Sequence, residues 1–445
     1  MDLTALGQRV RKLPPGDVMG RVSKVVGLIV ESRGPEGSVG EQMLIHLGDG
    51  RRITAEVVGF NGEQVLLMPV ENIEGIRPGL LVEATGHQPE IPVAEALLGR
   101  VIDPLGRPLD GGPEIEPEAH LAIHSQPPNP MRRRRISEVL STGVRSIDGM
   151  LTLGKGQRIG IFAGSGVGKS TLMGMVARNT SAQVNVIALV GERGRELREF
   201  IENDLGEEGL KRSVVVVATS DQTPLLRIRC ALAGTAVAEH FMRRGKDVLM
   251  MMDSVTRFAM AQREVGLSAG EPPSSRGYTP SVFALLPRLM ERAGTFEGMG
   301  SITGLYTVLV EGDDMNEPIS DAVRGILDGH VVLARKLATK NHFPAIDVLG
   351  SISRLFSALA IPEQKQLVAK IRDLMATYND AEDLIQIGAY VRGSSPNIDQ
   401  AIHFQPAIQA FLRQAVAEES DYRQTLLSMG GIFGVDLAPF LKAEG

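Results

Sequence analysis

Between an apolar run that ends at Ala163 and a helix-favouring stretch that opens at Ser170, the chain reads AGSGVGKST over residues 163–171. A strand that enters a glycine loop and leaves into a helix N-terminus gathers backbone N–H groups into a concavity that fits phosphate. The backbone of Gly164, Ser165, Gly166, Val167 and Gly168 would line it, and Lys169 would neutralise phosphate charge. Ser170, followed by Thr171, would offer a hydroxyl to Mg²⁺. A glycine-rich surface turn is the competing reading, and Gly-Lys-Ser placed between strand and helix argues against it. One position departs from the strict pattern: glycine is expected five residues before Gly168, and Ala163 stands there, which is tolerable where that residue keeps a negative φ.

A phosphate loop needs a sheet around it, and the chain is long enough for more than one. Its 445 residues suggest roughly three domains. With 43% hydrophobic and 22% charged residues, it fits an ordinary soluble α/β protein rather than a disordered or fibrous one. No apolar run reaches the ~18 residues of a membrane span. The first twelve residues carry charges and no apolar signal core, so the expectation is a protein that stays inside the cell. One cysteine, Cys230, excludes an internal disulfide framework and reads as core filler. The formal net charge of −6 gives no reason to expect nucleic acid as a partner.

In chain order, residues 1–19 place Leu3, Leu6, Val10 and Leu13 at helical spacing before Pro14 and Pro15, which reads equally as a partner-docking helix or a frayed terminus. Over residues 20–90, short β-like runs alternate with glycine or charged turns and predict a small closed barrel. Few aromatics there could stack bases, so an assembly module is favoured over an oligonucleotide-binding barrel. The proline- and glycine-rich stretch 91–136 reads as a connector, and the default reading of its four arginines, Arg132 to Arg135, is a solvated face. Residues 137–361 alternate continuous apolar runs with helical stretches, the mark of a buried, mostly parallel sheet. From 362 to 445 the pattern turns helical, with Leu367, Ile371, Leu374, Met375 and Tyr378 on one face.

Ligands of such sheets sit at the carboxyl ends of the strands. Asp253 ends the run DVLMMMD and suits a carboxylate that serves Mg²⁺, against the simpler reading of a helix cap. Glu192 follows VNVIALVG and could orient a water for phosphoryl transfer. Taken alone, it is a helix-start acid.

Three longer blocks shift that reading: GERGRELREFIE, DSVTRFAMAQREVGLSAGEPPSSRGYTPSVFALLPRLMERAG and VEGDDMNEPISDAVRGILDGHVVLAR. They resemble the ATPases of type III protein export, especially the flagellar kind, which are similar in turn to the catalytic subunit of rotary ATP synthases. The resemblance extends over nearly the whole chain. It implies a RecA-like P-loop core with an N-terminal β-barrel and a C-terminal helical domain, Mg-dependent ATP hydrolysis, and a homohexamer in the cytoplasm, peripheral to a membrane export gate. It implies Glu192 as the residue that polarises water, with Arg193 beside it near the γ-phosphate. Phe343 and Pro344 match the positions against which adenine rests, and Arg354 the arginine that a neighbouring subunit inserts. It further implies a stator-like regulatory protein at the N-terminus, and export substrates and chaperones at the C-terminal domain. The alternatives are a virulence injectisome ATPase, a rotary synthase subunit, a non-hydrolysing structural subunit, and a hexameric nucleic-acid motor; the aromatic-poor barrel and acidic charge disfavour the last.

Overall fold

The computed structural model describes residues 19–310, 312 and 314–441. The leucine-bearing segment expected to dock a partner lies outside the described residues, apart from Met19 at its end.

Alternating apolar residues and tight turns build the first unit. Six strands, β1 (Met19–Val26), β2 (Ile29–Arg33), β3 (Gln42–His46), β4 (Arg52–Asn61), β5 (Gln64–Pro69) and β6 (Leu81–Ala84), close into an antiparallel barrel in the order β1-β2-β5-β4-β3-β6. Val22, Val30, Met43, Ile45, Val57, Leu67 and Val82 fill its interior. Closure leaves no free sheet edge for another chain to extend.

The second unit is a nine-stranded sheet. Its path runs through β7 (Val101–Ile102), β8 (Arg158–Ala163), β9 (Val184–Glu192), β10 (Ser213–Thr219), β11 (Asp247–Asp253), β12 (Ser301–Leu309), β13 (Gly329–Leu333) and β14 (Ile346–Ser353), in the order β14-β13-β8-β12-β11-β9-β10-β7. The short strand Gly294–Thr295 adds to β12. Every pairing along the path is parallel except β13 with β14. Every residue of β9 is buried, because helices cover both faces and leave no solvent side to reward alternation. On one face lie α2 (Pro224–Arg243) and α3 (Val255–Ser268); on the other lies α1 (Lys169–Asn179).

The C-terminal helices α4 (Pro362–Gln386), α5 (Pro396–Leu412) and α6 (Tyr422–Ile432) share one apolar core with α1. Leu367, Ile371 and Leu374 are buried there, and Met375 and Tyr378 pack against them. The helical end is thus wedged behind the phosphate loop.

Charged rivets join the units. Arg229 of α2 meets Glu56 of the barrel at 2.9 Å, both side chains almost fully buried. Of the arginine run, Arg132, Arg134 and Arg135 are exposed, as expected of a solvated face, and Arg133 departs from it. Arg133 lies over the Phe296 ring at 4.9 Å, donates to the Ala293 carbonyl at 2.8 Å and pairs with Glu291 at 2.9 Å. Composition signals a run of charge; only the fold shows that an aromatic and a carboxylate are waiting beneath it. Cys230 is buried in the α2 core, where burial pushes its thiol pKa far up and leaves it inert, as expected. Among the described residues, no helix is long and apolar enough to cross a membrane.

Candidate active site

Strand β8 delivers the loop. It ends at Ala163 in ordinary strand backbone, so alanine in place of the first glycine meets no steric objection. The next turns do need glycine: Gly166 and Gly168 have φ of 76° and 90°, the left-handed region where a Cβ is costly. Gly168 stands at the N-cap of α1, with no side chain capping it, so the first helical N–H groups remain open to an anion. The side chain of Val167 is buried in the core, and only its backbone belongs to the loop. Phe343 lies beside the loop: a Cβ at Gly168 would stand in ordinary contact with its ring, at 3.7 Å, so it is the φ of Gly168 and not crowding that requires glycine. That ring, 42% exposed, offers a free apolar face, while Pro344 beside it is buried.

Two strand ends supply the carboxylates. In β9 the register slips between Val190 and Glu192, so two residues there oppose one on β10. Gly191, at φ 71°, takes the bulge, and Glu192 is turned towards the loop. The Glu192 carboxylate lies 3.9 Å from Lys169 Nζ and 3.2 Å from Arg257 Nε. Burial, reinforced by the nearby Asp253 charge, pushes its pKa up to about 7 against the pull of Lys169 and Arg257.

Asp253, at the end of β11, is buried, ion-pairs with Lys169 and accepts a 2.7 Å hydrogen bond from Thr307. It is not the cap of α3. Ser254 takes that part, accepting from the Arg257 N–H at 3.3 Å, so the Asp253 carboxylate is not spent on capping: Oδ1 faces Lys169 and Thr307.

A cavity of about 660 Å³ is bounded by the loop, Lys169, Ser170, Thr171, Glu192, Glu196, Arg257 and Leu309 among others, and Asp253 lines a small adjoining recess with Ser170 and Glu192. Its volume suits a nucleotide. Ser170 and Asp253 present hard oxygen donors near a lysine, the donor set that Mg²⁺ prefers.

Two expected residues stand apart. The Arg193 side chain is 71% exposed and pairs with Glu196 at 3.4 Å. Arg354 is further away, because β14 runs antiparallel to its neighbour: Ser353 pairs with Gly329 at the start of β13, whereas the phosphate loop follows the opposite ends of β8 and β13. At ~3.3 Å per residue, more than 13 Å of strand separates Arg354 from its own loop. The side chain is exposed and donates to the Arg324 carbonyl at 3.4 Å.

Sequence reasoning missed Arg257 and Thr307. Arg257 follows Ser254 by one helical turn, a spacing that could have raised it. Thr307 gives no such signal within an apolar strand; it is found only through the register that sets Met252 opposite Tyr306 and hence Asp253 level with Thr307.

Comparison with known proteins identifies the family. The family model described as ATP synthase alpha/beta family, nucleotide-binding domain matches residues 143–353, and the beta-barrel domain of the same family matches residues 22–86. The T3SS EscN ATPase C-terminal domain matches residues 360–430. A flagellum-specific ATP synthase from Bacillus subtilis is 56% identical over 417 residues, 93% of this chain and 95% of that protein. The assembled ATPase EscN of the enteropathogenic E. coli type III secretion system superposes with a TM-score of 0.88 at 44% identity, over 93% of this chain and 99% of that one. The same ATPase in complex with its central stalk EscO gives 0.86 at 43% identity, with the same coverage. The chain therefore belongs to the protein-export branch of the ATP synthase alpha/beta family, that of the flagellum-specific ATP synthases and type III secretion ATPases, and it is an ATPase.

Proposed function

We propose that this chain hydrolyses Mg·ATP to ADP and phosphate as one copy of a homohexamer, and that hydrolysis energises protein export through a flagellar type III apparatus. The observation that carries the reading is the convergence of Lys169, Glu192 and Asp253, from three different elements, at the mouth of one glycine loop.

The loop amides from Gly164 to Gly168 and the Lys169 ammonium hold the phosphates, Lys169 exchanging Asp253 for phosphate oxygens as nucleotide enters. Ser170 and Asp253 would hold Mg²⁺, which would supply charge neutralisation on the phosphates. Glu192, steadied by Arg257, orients the attacking water; phosphoryl transfer asks for positioning more than for covalent chemistry. Arg193 reaches the γ-phosphate by leaving its surface pair with Glu196. Phe343, with Pro344 beside it, gives adenine a flat apolar face. Arg354 serves the site of the adjoining copy.

The same reading places the chain in the cytoplasm, peripheral to the membrane export gate. Its first residues dock a stator-like regulatory protein, and its C-terminal helices receive export substrates and chaperones. The EscN complex with its central stalk supports regulatory partners for such a ring. A virulence secretion role stays in view because the C-terminal family model is that of EscN; flagellar or injectisome genes beside this one decide between them.

The test is Glu192→Gln in the purified enzyme. ATP binding should persist while turnover falls about 10²- to 10⁴-fold. Unchanged turnover removes the assignment of Glu192.

A further inference from the structure

At the end of the sheet away from the phosphate loop, the first residues of β8 do something the catalytic reading does not use. Arg158 donates to Asp328 from its backbone N–H at 3.0 Å, from Nε at 3.1 Å and from Nη2 at 3.2 Å. The Asp328 N–H donates back to the Arg158 carbonyl at 2.8 Å. Asp328 is thereby fixed through backbone and side chain alike. Its carbonyl in turn accepts the backbone N–H of Arg354 at 2.9 Å. Gln157 adds a second hold, donating to the Ser353 hydroxyl at 3.0 Å and to the Asp328 carbonyl at 3.3 Å. Behind Arg158, Glu291 bridges it to Arg133, so the anchorage runs back into the connector.

We propose that Asp328, clamped by Arg158, is a positioning residue that fixes the backbone from which Arg354 is presented to the neighbouring copy's phosphate site. The inference rests on the trans role of Arg354 proposed above. Its logic is geometric. A long side chain that must reach across an interface gains accuracy only from a rigid base, and a bidentate guanidinium–carboxylate pair is among the stiffest couplings available to side chains. Arg354 has no carboxylate of its own in the described structure; what orders it is its backbone bond to Asp328 and its contact with the Arg324 carbonyl. The arrangement also links two sites. Strand β8 ends in this copy's phosphate loop and begins with the residues that hold the arginine lent to the next copy, over about 20 Å of buried strand.

Mixed rings test this. Asp328→Asn removes the charge that Arg158 grips and should lower kcat roughly tenfold to a hundredfold, the cost of a misplacement near 1 Å, with KM for ATP little changed. The variant is then assembled at equal ratio with Lys169→Ala, which lacks its own phosphate lysine but keeps Asp328 and Arg354. Roughly a quarter of the interfaces then pair an intact loop with an intact arginine, and activity should return. Arg354→Ala mixed with Lys169→Ala is the control. If Arg354→Ala is rescued and Asp328→Asn is not, Asp328 supports its own fold or site and the positioning role is overturned. If Arg354→Ala is not rescued either, the trans reading of Arg354 itself fails. Wild-type kcat in Asp328→Asn also overturns the proposal. Should Asp328→Asn fail to bind ATP, Arg158→Lys carries the same test: it keeps the charge, loses the bidentate fork, and should be rescued in the same mixture.

Discussion

The two ends of the central sheet are built on opposite plans. At the loop end, Lys169, Glu192 and Asp253 are enclosed by three elements and held by one another, with Arg257 and Thr307 behind them. At the far end, Arg354 stands exposed, its backbone anchored and its guanidinium touching only a carbonyl among the contacts described. The loop end already holds Arg257 and Arg335 at its cavity; in the proposed function Arg354 adds, from a neighbouring copy, a further cation for the charge that develops on phosphate. On the proposed reading, the two ends come together between neighbouring copies.

Substitutions at the two ends should therefore fail differently. Arg354→Ala should show the largest effect: if, as proposed, the residue acts on another copy's transition state, turnover should fall about 10³- to 10⁵-fold with ATP affinity nearly unchanged. A parallel loss of ATP affinity in a binding assay would put Arg354 in its own site and break the comparison.

The loop end should show its enclosure through pH. Glu192 titrates near 7 in the folded chain and near the ordinary carboxylate value of 4.5 when unfolded. Between those values the folded state binds more protons, so raising the pH through this window destabilises the fold, by on the order of 1–3 kcal/mol in full. Glu192→Gln should abolish that term and be more stable than wild type above pH 7, the two converging below about pH 4.5. Denaturant titrations across this range check it; a constant gap would mean that Glu192 is not the group responsible. A water-orienting Glu192 must be charged, so kcat/KM for ATP, which reports the free enzyme, should rise as the pH passes about 7.

The smallest effect should belong to Phe343, which in the proposed function gives adenine only a flat apolar face. Phe343→Ala should raise KM for ATP roughly fivefold to tenfold, about 1 kcal/mol, with kcat little altered. Phe343→Tyr should restore it. A change in kcat without one in KM would move Phe343 from the base to the chemistry.

Legibility from sequence followed the range of the interactions. The phosphate loop was readable because strand, turn and helix N-terminus are consecutive, and the buried strands because continuous apolar runs have few other uses. Asp253 and Glu192 were visible as strand-end acids, though the role of Glu192 needed the family resemblance. The bulge at Gly191 that aims Glu192 was not visible, nor was Ser254 as the true cap beside Asp253. Thr307 depends on parallel register between segments about fifty residues apart, which no local pattern encodes. Arg133 misled in the other direction: in a run of four arginines it reads as solvated, and only the arrival of Phe296 and Glu291 from a distant segment makes it a packing residue.

The central claim is that the active site is completed between copies. The most direct measurement is specific ATPase activity against protein concentration, with particle mass determined at each point. Activity that appears as the mass climbs from monomer to ring, and is small in the monomer even with ATP saturating, is the predicted result. A monomer that turns over ATP as fast as the ring would contradict it.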